Sequence, residues 1–225
     1  MSKFFIDLCG PFVALIIGLI FFKKLDFPFR LLFAQIVIAI AIEFIGYEIK
    51  KQLPGKHNAW LYNLYIPIDC GLLIWAAYAF IKEKVKIKSG YFVLSYLGFI
   101  CIWLYGLIQS GINAFAFIAV SIDGIVVLTA YLFVLYYSII SNAQKLIKLP
   151  VFWACIGLIL YYGCSIPFFA THRYLETVLT NAENQKLFYI LFILNYIRYF
   201  LTALAFFLHY KQSKTGKFLL TNASR

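Results

Sequence analysis

The stretch "NLYIPIDCGLLIW", residues 63–75, sits inside an apolar run from Asn58 to Ile81 that would be at home in lipid except for one residue, Asp69. A carboxylate near the middle of a bilayer costs about 2.5–3.5 kcal/mol on insertion scales. The run is too long for a strand and does not alternate, as a barrel strand must. It has the roughly 20 residues that a spanning helix needs. Asp69 is therefore expected on an inward face of a membrane helix, where other polar groups can meet it.

The same reading extends in both directions. Seven runs qualify as spans, about Phe4 to Phe22, Phe29 to Ile49, Asn58 to Ile81, Tyr91 to Gln109, Phe115 to Ile140, Pro150 to Ala170 and Leu187 to Tyr210. Short connections with charge or turn residues separate them, among them "KKQLPGKH" and "SGINA". The longest, "THRYLETVLTNAENQK", has room for a short surface helix. Of the 225 residues 64% are hydrophobic and 13% charged, whereas a soluble domain is about 45–50% apolar and about 25% charged. The expected fold is all-α, a single seven-transmembrane helix bundle over residues 1–225.

The net charge of +11 does not imply nucleic acid, because the basic residues stand in short clusters between apolar runs, as topology signals do. The first, third and fifth connections and the carboxyl terminus carry 13 Lys and Arg, against 6 for the amino terminus and the other connections. That bias predicts an outside N-terminus and a cytoplasmic C-terminus, with a bacterial inner membrane as the setting. The first run contains Asp7 and lacks a small-x-small cleavage site before Lys23, so it reads as a retained helix and not as a signal peptide. The five cysteines lie in apolar segments without a CxxC pair and read as small apolar residues. Cys70 stands out, being next to Asp69.

Four ionisable residues fall well inside the spans: Glu43, Asp69, Asp123 and Arg198. At 1.5 Å per residue they lie about 9, 14, 12 and 16 Å from the outer helix ends. One layer could hold all four. Gln35, Ala39, Glu43 and Gly46 share a helix face, as do Ala116, Ala119, Asp123 and Ala130, and Asn195, Arg198, Thr202 and Ala205. Small and polar residues are what helix interfaces in membranes use. Pro67 leaves the carbonyl of Asn63 without its helical donor, which adds Asn63 to the polar group. Pro167 does the same for Gly163. Arg198 is expected to pair with Asp69. Three carboxylates against one cation leave an excess that a proton, a cation, a ligand or water must balance. The candidate ligand or proton site is thus Glu43, Asn63, Asp69, Asp123, Asn195 and Arg198; a structural ion pair that fixes helix packing is the plainer alternative.

Catalytic machinery is not legible. A retinal linkage needs a lysine in the last helix, and a metal-dependent hydrolase needs clustered histidines. The chain offers His57 and His172 in outer connections and His209 at the inner end. Ser95, Ser121, Thr129 and Ser165 have no histidine base at their depth, and no phosphate-binding glycine loop occurs. No cofactor or metal is expected. Of the 17 tyrosines, many fit an interfacial belt, while Tyr62, Tyr65, Tyr105, Tyr161, Tyr162, Tyr196 and Tyr199 lie deeper and need hydroxyl partners.

Three stretches, "WLYNLYIPID" (60–69), "PVFWACIGLILYYG" (150–163) and "NYIRY" (195–199), resemble an uncharacterised family of small seven-helix integral membrane proteins of Bacteroidota. The resemblance runs from the second helix to the seventh and implies the same architecture. The acid of the family's third helix is usually Glu; here it is Asp69, one methylene shorter. No activity follows from the resemblance.

Three functional readings remain. A receptor-like or ligand-sensing bundle with an outward-facing polar pocket suits the topology and the grouped charges. It would take a small molecule or cation and signal through a partner membrane or signalling protein. A secondary transporter or proton-coupled carrier suits broken helices and midplane carboxylates, though seven helices without a clear repeat argue against it. A membrane-embedded lipid enzyme lacks a catalytic set.

Overall fold

The computed structural model describes residues 3–52, 58–82, 85, 87–141 and 146–214. Those residues form seven α-helices: α1 (Lys3–Phe21), α2 (Phe27–Gln52), α3 (Ala59–Ile81), α4 (Gly90–Ser110), α5 (Phe117–Ile140), α6 (Pro150–Val178) and α7 (Asn181–Lys214). Short 3-10 turns at Phe22–Lys24 and Leu146–Lys148 precede α2 and α6. No strand occurs among the described residues. Six helices, α2 to α7, are long and apolar enough to cross a membrane. The outward surface is itself apolar, with Ile20, Leu94, Ile108, Ile118, Ile140 and Phe200 more than half exposed. Such a surface is unstable in water and natural in lipid, so the chain is built as an integral membrane protein.

Six helices close a ring. α1 packs on α2 and α7, α7 on α6, α6 on α5, α5 on α3, and α3 on α2. α4 lies outside the ring, against α3 and α5. Only 11% of its apolar window is covered, against 61% for α3. The helix ends where α1, α3, α5 and α7 begin form one end of the bundle, called here the amino end. The half towards the other end is solid. Phe29, Phe33, Phe80 and Phe206 fill it with edge-to-face rings, and Ala76, Ala77, Ala154 and Ala205 are fully buried between helices. Small residues let helix backbones approach in a membrane, where dispersion and not water exclusion drives association. At Gly157 the approach is limiting: a Cβ there would lie 3.1 Å from the Arg198 carbonyl oxygen, so α6 and α7 touch backbone to backbone.

Helix positions follow the apolar runs closely, with one correction. Residues 171–186 do not form a long connection. α6 continues to Val178, and α7 starts at Asn181. The turn between them is closed by Thr180 and Glu183. The Thr180 N–H and hydroxyl donate to Glu183 Oε2 at 2.9 and 2.8 Å, and the Glu183 N–H donates back to Thr180 Oγ1 at 3.4 Å. This is the reciprocal capping of a Thr-x-x-Glu sequence. In consequence His172 is a buried helical residue, packed on the rings of Phe117, Phe168 and Phe188, and not a surface histidine. The other expected outer histidine, His57, lies outside the described residues.

Candidate ligand cavity

Asp69 is 6% exposed, and neutral donors hold it. Gln35 Nε2 donates to Oδ1 at 2.7 Å, the Tyr65 hydroxyl to the same oxygen at 2.6 Å, and the Tyr162 hydroxyl to Oδ2 at 2.9 Å. Tyr65 stands one helical turn before Asp69, on the same face of α3; Gln35 comes from α2 and Tyr162 from α6. A hydrogen bond to a charged group contributes about 1.5–3 kcal/mol, so three of them offset the cost of placing this carboxylate in hydrocarbon. The expected ion pair with Arg198 does not form: no such pair joins Arg198 to Asp69 or Asp123.

Arg198 instead lies among tyrosine rings. Its guanidinium carbon is 4.9 Å from the ring centres of Tyr161 and Tyr199, and 5.8 Å from that of Tyr162. Each ring presents the negative face of its quadrupole to the cation, worth about 2 kcal/mol or more when desolvated. Tyr162 thus lies beneath the cation and donates to the anion, linking the two charges without contact between them. Thr202 Oγ1 donates to the Arg198 carbonyl at 2.9 Å. Arg198 Nη2 is buried and has no hydrogen-bond partner among the described residues.

Asp123 is 4% exposed, and its Oδ1 has no hydrogen-bond partner among the described residues. The Cys70 thiol is within interaction range of the carboxyl, so the neighbour that matters for Cys70 is Asp123 on α5 as well as Asp69 on its own helix. Asn195 Oδ1 is likewise buried and unpartnered. Glu43 is exposed and accepts from the Tyr62 hydroxyl at 3.0 Å.

These side chains meet in one cavity of about 580 Å³. All six ring helices line it and α4 contributes nothing. Asp69, Asp123, Asn195 and Arg198 are among its walls; Glu43 and Tyr62 lie nearer the amino end, together with Phe115, Phe117, Phe169 and Phe188. Of the six residues expected in the polar layer, five line this space.

Asn63 is the exception, for a clear physical reason. Its side chain is fully buried and spends all its valences on the turn between α4 and α5. Nδ2 donates to the carbonyls of Ile112 and Ala114, both at 2.8 Å, and Oδ1 accepts from the Ala116 N–H at 3.1 Å. The backbone carbonyl that Pro67 frees is taken by the indole N–H of Trp103 at 2.9 Å, and the Tyr96 hydroxyl donates to the Pro67 carbonyl at 3.1 Å. α3 runs unbroken through Pro67, and the carbonyls around the proline are stapled to α4. Asn63 is a clasp.

Among the described residues no three His, Cys, Asp or Glu side chains are grouped so that they could hold a metal ion. No family model, curated protein or solved structure matches the chain.

Proposed function

We propose that the chain is a receptor-like membrane protein that binds a small polar molecule in this cavity, reached from the side on which the N-terminus lies, and that α1 is a seventh span. The carrying observation is convergence. Asp123 Oδ1 and Asn195 Oδ1 are unpartnered acceptors, Arg198 Nη2 is an unpartnered donor, and all three residues line one void. A buried polar group without a partner costs about 1–3 kcal/mol, a cost that a ligand or water filling the void would relieve. The volume falls within the roughly 300–1,000 Å³ of small-molecule sites. The positive-inside bias supports an outside N-terminus and hence an outward-facing mouth. The resemblance to the Bacteroidota family supports this architecture, and the Lys and Arg distribution supports an inner membrane as the setting.

The carrier reading draws less support. It needs a discontinuous helix that can move, and α3 runs unbroken through Pro67 and is tied there to α4 through Trp103 and Tyr96. It also needs a second route, through a half of the bundle packed with aromatic rings.

Cysteine accessibility tests the proposal. In a variant without native cysteines, in intact cells, Asn195→Cys should react with a small impermeant thiol reagent. Ile193→Cys, on the exposed apolar face of α7, should not. An unreactive Asn195→Cys in a protein whose Glu183→Cys does react would overturn the proposal.

A further inference from the structure

The charges and walls of the cavity specify its ligand more closely. We infer that it takes a small organic cation, an amine on an apolar or aromatic body, with Asp123 receiving the ammonium group. This rests on the ligand-cavity reading above.

The argument begins with the balance of charge. The lining carries three carboxyl groups, Glu43, Asp69 and Asp123, and one cation, Arg198. Asp69 and Arg198 compensate each other across Tyr162, the first through three donors and the second through three ring faces. Glu43 sits at the exposed end with the Tyr62 hydroxyl on it. Asp123 is left over: an acid deep in the bundle, beside the Cys70 thiol, whose Oδ1 has no donor among the described residues. A ligand that brings a positive charge gives the Asp123 carboxylate a partner; one that brings a negative charge finds Arg198 already compensated by Asp69.

The walls then select among cations. Calcium and magnesium take six or more oxygen ligands and zinc takes four from Cys, His and carboxylates, and no group of even three such side chains exists among the described residues. Aromatic faces, by contrast, attract organic ammonium groups. Tyr62, Tyr161, Tyr162, Phe117, Phe188 and Phe192 all line the cavity. Arg198 on its tyrosines is already one instance of this interaction in the same space. An ammonium also brings several N–H donors, the complement of the unpartnered acceptors Asp123 Oδ1 and Asn195 Oδ1.

Three probes of similar shape separate the alternatives: 2-phenylethylamine, 2-phenylethanol and 3-phenylpropionate, titrated calorimetrically into purified protein in detergent. The amine should bind and raise the unfolding temperature, and the other two should do so at least ten-fold more weakly. Asp123→Asn should lose at least ten-fold in amine affinity, while Asp123→Glu, which keeps the carboxyl group, should retain most of it. A second readout needs no change at Asp123: the amine, and not the carboxylate, should slow labelling of Asn195→Cys. Preferential binding of 3-phenylpropionate, lost in Arg198→Gln, would overturn the cation assignment and leave the ligand cavity standing. So would equal binding of amine and alcohol, or amine binding indifferent to Asp123→Asn. If no probe binds although Asn195→Cys is reactive, the cation assignment also falls. If Asn195→Cys is unreactive, the ligand-cavity reading falls with it.

Discussion

At the scale of single residues, the chain solves the problem of a carboxylate in hydrocarbon with neutral donors and not with a counter-ion. That makes Tyr162 more important than its bland chemistry suggests, since it donates to Asp69 and faces Arg198. Tyr162→Phe keeps the ring beneath the cation and removes only the donor. It is expected to lower stability by about 1.5–3 kcal/mol, the worth of a hydrogen bond to a charged group, measured by denaturant unfolding in micelles. A cost near zero would mean that Asp69 is held by something other than this hydroxyl. Part of this arrangement is legible in the chain. Tyr65 precedes Asp69 by four residues, and Gln35 lies on the same polar stripe as Glu43. Tyr162 is not legible, because it reaches Asp69 across 93 residues and nothing in a sequence pattern fixes how α6 is rotated. A search for opposite charge leads to Arg198 instead, and overlooks that tyrosine offers both a ring for a cation and a hydroxyl for an anion.

At the scale of elements, helix lengths and faces come from apolar runs, and the departures come from local hydrogen bonding. Thr180 and Glu183 spell a capping signal that marks the start of α7 six residues before the apolar run does. Thr180→Ala removes the hydroxyl half of that reciprocal pair. Amide exchange at residues 182–184, followed by mass spectrometry, should then be several-fold faster, with the rest of α7 unchanged. Asn63 carries the opposite lesson, a polar residue in a span that serves a turn and not a ligand. Asn63→Leu leaves the carbonyls of Ile112 and Ala114 and the N–H of Ala116 without their partner, at about 1–3 kcal/mol for each that stays dry. The variant should therefore unfold at lower temperature while its folded fraction keeps the cavity's ligand affinity. Equal stability of variant and parent would contradict the clasp. Gly157→Ala pushes a methyl against the Arg198 backbone, and such overpacking costs about 1–3 kcal/mol. Because α7 carries Arg198, Tyr199 and Asn195, this substitution should weaken both packing and the cavity, and a double effect separates it from Asn63→Leu.

At the scale of the whole molecule, the ring of six helices with α4 outside gives a bundle that is solid at one end and hollow towards the other. The hollow half is where the ionisable layer was expected from depths along the spans, and that much follows from the 1.5 Å rise of a helix. The exclusion of α4 follows from packing alone, since its apolar run resembles the others. Orientation in the membrane rests on the distribution of Lys and Arg. Impermeant labelling in intact cells should reach Glu183→Cys and not Lys214→Cys, and the reverse pattern would turn the mouth towards the cytoplasm. The central claim is that the unpartnered groups of Asp123, Asn195 and Arg198 share a space that something polar fills. An experimental structure of the protein in a lipid nanodisc tests it most directly. The account predicts ordered water or ligand density within about 3.2 Å of Asp123 Oδ1, in a cavity continuous with solvent at the amino end. Side chains closing that space, with Asp123 sealed singly between α3 and α5, would contradict it.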